Sequence, residues 1–452
     1  MLSPVENKGG LPMRTTSLEE RVLIYTLAQT GASDAAIAQR MGWALGTVRK
    51  WRRRGKKGLE NLAPKRGRPA RGALSTFAPH VPTTVQDLRH AHPGWGPLTL
   101  RVELEGEPPA AQLPSRASIG RYLQQEHLSR PYERHQDLPT PTPASAQEPH
   151  QEWELDAEGY VHIPGVGVVA LINLGDRCSK VKLMSYPCWV GEKRASRHPT
   201  TADYQLVFRL TAIEWGLCDR LYVDRDSVYY DNTSKSPFPT RLHLWWLALG
   251  VELVVGPAHR PTERGMIERE HQTWAAQAVE GQTFASWEAL YTALGQRRDV
   301  LNYRLPCAST GNQPPLVAYP AARFPRRPYR PEGEAELLDL ARLDAYLAPG
   351  RWFRKASNVG ALCLGEQRYG LGKAWIKKEV EVTYDPTTRE LLFYAPEGEL
   401  RTRQAIKGLT KEALMGELGP LANLHSFQLA LPFTWDEWRV IRLYETLGDT
   451  IK

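Results

Sequence analysis

The spacing of apolar residues changes character along this chain, and the changes divide it. Leu18, Val22, Leu23, Leu27 and Ala28 recur at helical spacing and predict a first helix that Gly31 ends. Ser33 can cap a second helix through Ile37 and Met41, with Asp34 in its first turn favouring the helix dipole. After a tight turn at Gly42, Ala44–Arg54 reads as a third helix with Val48 and Trp51 turned inward. Helix, short glycine turn, helix is the helix-turn-helix pattern, here over 15–62. A second unit of the same kind is expected over 79–130: helices at Thr84–His92 and Thr99–Glu105, then one capped by Ser115 with Ile119 and Leu123 inward. The stretch 131–149 is rich in Pro, Thr and Ala without period and reads as a linker.

Beyond it the apolar residues crowd into short β-rich runs. Trp153–Ile163, Val166–Asn173 and Lys180–Ser185 predict three strands, and Thr201–Trp215 a helix. Strand Arg220–Val223, helix Pro239–Leu249, strand Glu252–Val255 and helices Arg264–Val279 and Trp287–Leu301 follow. That order is the one expected of an RNase H-like α/β core, placed at 150–322. A connector occupies 323–349. Over 350–408, Gly360, Gly365, Gly370 and Gly372 punctuate short strands, with a hairpin around Asp385-Pro386, and a small β-barrel is expected. Residues 409–452 form a helical tail with Trp435 and Trp438. The expected fold is therefore multidomain: N-terminal all-α helix-turn-helix modules, a central RNase H-like core and a C-terminal small β-barrel.

Charge separates these regions further. Residues 1–72 carry 15 Lys/Arg against 5 Asp/Glu, whereas the whole chain is only +8, so the cationic excess is N-terminal. A polyanion should dock there. On the third helix Thr47, Arg49, Lys50, Arg52 and Arg53 are left for double-stranded DNA once the core positions are assigned. The basic linker 63–78 holds Arg66 and Arg68 in an R-G-R-P string, narrow enough for an A·T minor groove and equally serviceable as a plain phosphate contact. In the second unit Ser115, Arg116, Ser118 and Arg121 are the candidate contacts, beside the alternative that this nearly neutral unit only packs. The five cysteines form no C-x-x-C pair, which speaks against a zinc module and a disulfide framework. The N-terminus shows no signal-peptide pattern and no segment reads as a membrane span, so a cytoplasmic protein is expected, with no membrane partner.

Three acids stand where chemistry would need them. Asp156 lies in the first strand, Asp224 ends the short strand Leu221-Tyr222-Val223, and Glu268 opens a helix after a Pro- and Gly-containing loop. Converging carboxylates hold hard divalent cations, and two Mg²⁺ ions about 3.5–4 Å apart suit phosphoryl transfer. Glu154 and Glu158 share strand parity with Asp156, Asp226 and Asp231 flank Asp224, and Glu263 and Glu270 flank Glu268, so position alone does not choose among them.

The surrounding motifs do. Trp153 and Asp156 meet a W-x-x-D pattern. Asp224 is followed five places on by Tyr229. Pro261, Gly265, Ile267, Glu268 and Arg269 match P-x-x-x-G-x-[IV]-E-R, and Leu301-Asn302-Tyr303-Arg304-Leu305-Pro306 with Pro314-Pro315 loosely matches a further block. Asp176-Arg177 adds an acidic-Arg pair after the second strand. Over Trp153–Tyr319 the chain resembles the integrase-type catalytic core of DDE transposases and retroviral integrases, as found in bacterial insertion-sequence transposases. Two departures stand out: Arg225-Asp226 replaces the usual Asn-Gly, and 44 positions separate Asp224 from Glu268, an excess that an insertion around Thr233–Pro239 would absorb.

The resemblance implies a two-metal polynucleotidyl transferase with Asp156, Asp224 and Glu268 as catalytic metal ligands for two Mg²⁺ ions, Mn²⁺ substituting. It implies binding of the element's terminal repeats, end cleavage that frees a 3′-hydroxyl, and strand transfer into target DNA. Arg260, Arg264, Arg269 and His271 would then contact DNA phosphates. Synapsis of two ends implies a homo-oligomer on DNA, and some relatives work with a separate ATPase that selects the target, for which the tail 410–452 is the expected contact. The rival readings are a domesticated, catalytically silent, sequence-specific DNA-binding protein and a nuclease that cuts without joining.

Overall fold

The structure, a computed structural model, describes residues 16–63, 72–105, 113–130, 146–232, 234–256, 265–395 and 397–417, the side chains of 265–268 excepted. Two compact units divide at Pro82/Thr83. The first contains helices α1 (Leu18–Gln29), α2 (Asp34–Met41) and α3 (Leu45–Gly55). Each begins where local chemistry says it should. Ser17 and Glu20 form a reciprocal capping box on α1, and the Ala36 amide donates to the Ser33 hydroxyl on α2. Gly42, in the left-handed conformation at φ 68°, turns the chain from α2 into α3. Ile24, Ile37, Val48, Trp51 and Leu62 form the core of this unit.

The second unit opens with α4 (His80–Ala91), α5 (Pro97–Leu104) and α6 (Arg116–Gln125). Ile119 and Leu123 face inward, and Ser115 caps α6 by accepting from the Ser118 amide. From Thr83 onward these three helices lie in the same compact unit as the α/β core. The physical reason is a set of bonds that sequence does not announce, among them Trp95 Nε1 to the Gln277 carbonyl at 2.9 Å and Arg297 to Glu103 at 2.6 Å.

At the centre is a five-stranded sheet in the order β3-β2-β1-β4-β5. Its strands are β1 (Glu152–Ile163), β2 (Gly167–Asp176), β3 (Lys182–Gly191), β4 (Arg220–Val223) and β5 (Glu252–Val255). The first three form an antiparallel meander; β4 runs parallel to β1 and β5 parallel to β4. Alternation along β1 sends Trp153 and Leu155 to one face, where they pack with Phe208 of α7 (Thr201–Trp215) and Trp245 and Trp246 of α8 (Arg241–Ala248). The opposite face carries Val169 and Leu171 beneath Trp274 of α9 (Gly265–Trp274) and Leu290 and Leu294 of α10 (Trp287–Asp299).

Three boundaries differ from the sequence reading. β2 runs on to Asp176, because its buried carboxylate accepts from the His150 amide and from the Ser179 amide and hydroxyl. β3 continues past Ser185 to Gly191, tolerating Pro187 because it is an edge strand. The helix expected to run from Arg264 to Val279 stops being α-helical at Trp274 and continues as a π-turn, Ala275–Val279.

A third region follows the core. Strands β6 (Arg351–Lys355), β9 (Glu379–Asp385), β10 (Glu390–Tyr394) and β11 (Leu400–Ala405) form a sheet in the order β11-β10-β9-β6. β7 (Ala361–Leu364) and β8 (Gln367–Gly370) form a separate hairpin. No closed barrel exists among the described residues. Where closure was expected, core elements intervene: Phe238 stacks edge-on with Trp352 at 4.7 Å, and Gly365 sits against the same Phe238 ring. The helical tail lies outside the described residues from 418 onward, and with it the expected ATPase contact. No helix among the described residues is long and apolar enough to cross a membrane.

Candidate active site

Asp156 and Asp224 reach the same level of the sheet by register. β1 and β4 pair in parallel with Glu154 opposite Tyr222, and each aspartate lies two residues beyond that pair. Two adjacent parallel strands therefore deliver a carboxylate each just past the segment over which they pair, at the C-terminal end of β4 and within β1. Asp156 shares a face with its cross-strand partner Asn173, which is wholly buried. Beyond β4, Asp224 Oδ1 accepts the Asp226 amide at 2.8 Å, closing a turn that points the chain away from the sheet.

α9 crosses this corner. His271 Nε2 lies 3.9 Å from Asp156 Oδ2, so the helix presents the face bearing position 271 to the first aspartate. Residue 268 precedes 271 by three, within about 60° on the same side of the helix. The backbone thus brings Glu268 to the Asp156 corner, although its side chain lies outside the described residues. Among the described residues no group of three or more His, Cys, Asp or Glu side chains is arranged to hold a metal ion.

Most of the competing acids are engaged by other groups. Glu152 and Glu154 are buried against Arg177, whose guanidinium also lies 4.0 Å over the Tyr222 ring. Asp231 accepts from Arg354 at 2.8 Å, and Asp226 from the Val228 amide. Glu270 is buried and ion-paired with Lys182 at 3.0 Å, directly above Gly175 of β2. Glu158 stays half-buried on β1 and burial pushes its carboxyl up to about 7. Glu263 lies outside the described residues.

The floor of the corner is aromatic. Tyr204 of α7 and Tyr229 are both buried, with ring centroids 5.0 Å apart. Burial first, and behind it the negative charges that include Asp156 and Asp224, raises both hydroxyls above the ordinary tyrosine range.

Of the expected DNA contacts, Arg49, Lys50 and Arg53 are exposed on α3, and Thr47 is half-buried. Arg52 is instead bound to Asp34 of α2 at 2.8 Å, which locks the two helices together. Ser115 and Ser118 spend their hydroxyls on the α6 cap and on each other, while Arg116 and Arg121 remain exposed. Arg269 is exposed on α9. His271, expected to reach DNA phosphate, faces Asp156 instead. Arg66, Arg68, Arg260 and Arg264 lie outside the described residues. Asn173 and Tyr204 were the members of this corner that sequence reasoning missed, and His271 it assigned to DNA phosphate. Only His271 carried a signal, its three-residue spacing from Glu268.

A homeodomain-like domain model matches residues 15–63. The N-terminal unit is homeodomain-like. Among solved structures, the chain is similar to the simian T-cell lymphotropic virus intasome, solved by cryo-electron microscopy with a PP2A regulatory subunit. That match has 11% identity over 72% of this chain and 96% of that one, at a TM-score of 0.31. The catalytic core domain of BIV integrase matches at 15% identity, 38% and 95% coverage and a TM-score of 0.27. The HTLV-2 integrase catalytic core domain in complex with magnesium matches at 11%, 38% and 98%, also at 0.27. These scores are low. The element order expected from the sequence, three strands, helix, strand, helix, strand, helix, is present, in a sheet ordered β3-β2-β1-β4-β5.

Proposed function

We propose that this protein is a DDE-type DNA transposase, a two-metal polynucleotidyl transferase with Asp156, Asp224 and Glu268 as its acids. One observation carries the reading: Asp156 and Asp224 lie side by side on adjacent parallel strands, and α9 brings His271, three residues after Glu268, within 3.9 Å of Asp156. The donor set of two aspartates and a glutamate is all oxygen and hard. That fits Mg²⁺ or Mn²⁺ and does not fit a soft metal. A bound pair of such cations would polarise the phosphodiester and lower the pKa of the attacking water or 3′-hydroxyl.

The protein's own groups have other tasks. Tyr204 and Tyr229 wall the corner off from water on the core side, which strengthens the electrostatics inside it. Arg177 and Arg220 together balance the charges of Glu152 and Glu154, so these two acids compete less for cations. Arg49, Lys50 and Arg53, with Arg116, Arg121 and Arg269, bind DNA phosphate, and Thr47 lies near the base edges. Synapsis of two element ends calls for more than one subunit on DNA.

The test uses duplexes carrying the ends of the genomic element that encodes the protein, with Mg²⁺. Wild type should nick the ends at a 3′ position and join them to a target plasmid. Asp156→Asn, Asp224→Asn and Glu268→Gln should each bind the duplex and do neither. Binding by wild type without nicking or joining would sink the proposal, and nicking without joining would reduce it to a nuclease.

A further inference from the structure

The α-helical part of α9 ends at Trp274 and becomes a π-turn, in which the Glu280 amide donates five residues back to the Ala275 carbonyl at 2.8 Å. A π-turn holds one more residue than the α-helix would, and one residue is about 100° of helical rotation. The phase of everything before the turn, position 268 included, therefore depends on the turn being kept. Relaxed to α-helix, the turn would rotate α9 as a whole, carrying position 268 and the buried anchor Trp274 together away from the sides they now occupy.

The α4–α6 unit grips that turn. Trp95 Nε1 donates to the Gln277 carbonyl at 2.9 Å, and Gln277 Nε2 donates to Thr99 Oγ1 at 3.2 Å. Arg297 of α10 donates to both Gln277 Oε1 and Glu103 Oε1, and its guanidinium lies 4.4 Å over the Trp95 ring. Trp95 is itself fixed: it stacks on His92 at 3.6 Å, and its carbonyl accepts from the buried Arg89, which also holds the Leu128 carbonyl. The approach is so close that a Cβ on Gly94 would fall 1.9 Å from the Ala276 carbonyl oxygen. A loosely docked DNA-binding domain has no need of such fit.

We infer that the α4–α6 unit is a brace for the acid-bearing helix, with Trp95 and Thr99 as positioning residues that hold the π-turn and so set where Glu268 meets Asp156 and Asp224. The inference rests on the proposed function for the role of Glu268, but the brace is measurable without it. Trp95→Phe keeps the ring and removes the donor; Thr99→Val keeps the shape and removes the acceptor. In each full-length variant, hydrogen exchange of the 265–279 amides should quicken about fivefold or more, with exchange in β1, β2 and α7 unchanged. Calorimetric affinity for Mn²⁺ alone should weaken several-fold, and half-saturating Mg²⁺ for nicking should rise while the plateau rate largely survives. Unchanged exchange over 265–279 in both variants would overturn the brace, as would a loss of protection spread evenly through the unit. If wild type binds no Mn²⁺, the metal reading of the acids falls, and the exchange comparison alone decides whether the brace exists.

Discussion

Gly175→Ala is the smallest change that should disturb the site without touching an acid of the proposed triad. Gly175 pairs with Glu154 on β1 and Lys182 on β3, and α9 lies on it so closely that a Cβ would stand 2.5 Å from Glu270 Oε2 and 3.2 Å from its Cδ. A glutamate on a surface would swing away at little cost. This one is 1% exposed and holds Lys182 at 3.0 Å, so it has two responses. Giving up the ion pair leaves a buried charge unpaired, which costs about 3–5 kcal/mol. Lifting α9 by a fraction of an ångström to an ångström is an overpacking response, at about 1–3 kcal/mol. The cheaper one prevails, so the helix should move. Urea unfolding should show a loss of about 1–3 kcal/mol with an unchanged slope. Metal-dependent nicking should fall more than stability does, by up to about 100-fold, since an ångström of misplacement costs that much in a positioned reaction. Wild-type nicking and stability in Gly175→Ala would refute the reasoning, because α9 would then not be fixed through this contact.

Three further predictions address other parts of the molecule. Glu334 is wholly buried and accepts from Arg209, Trp245 Nε1 and the Tyr329 hydroxyl, so Glu334→Ala should cost about 3–5 kcal/mol in urea unfolding, while Arg209→Met with Glu334→Leu should recover most of it. Burial lowers the His243 pKa to about 4. The unfolded chain then binds the extra proton between pH 6.5 and 4, so stability is complete above 6.5 and falls as pH drops through that window. His243→Phe should flatten that decline, by on the order of 2 kcal/mol, in pH-dependent unfolding. Replacing the exposed Arg49, Lys50 and Arg53 by alanine should reduce the slope of log affinity against log salt by about 2–3, whereas Arg52→Ala should lower the melting temperature of the N-terminal unit through loss of Asp34.

The sheet core was legible because its signals are local. Thr201–Trp215, Arg220–Val223 and Glu252–Val255 appear with the bounds that apolar runs and caps imply. The three candidate acids were singled out only by motif, since alternation left Glu154 and Glu158 equally placed; Arg177, just past the end of β2, engages Glu154, whereas Glu158 stays half-buried on β1. Three things were out of reach for the same reason. The docking of α4–α6, the π-turn after Trp274 and the failure of the C-terminal strands to close all depend on long-range contacts, such as Trp95 with Gln277 and Phe238 with Trp352. Periodicity reports which side of an element is buried and says nothing of what buries it.

The most direct measurement is the anomalous scattering of Mn²⁺ in crystals of the protein bound to a DNA end. The account predicts manganese peaks within coordination distance of carboxylate oxygens from Asp156, Asp224 and Glu268. Peaks on Glu158 or Glu270 in place of these, or no peak at the β1–β4–α9 corner, would contradict it.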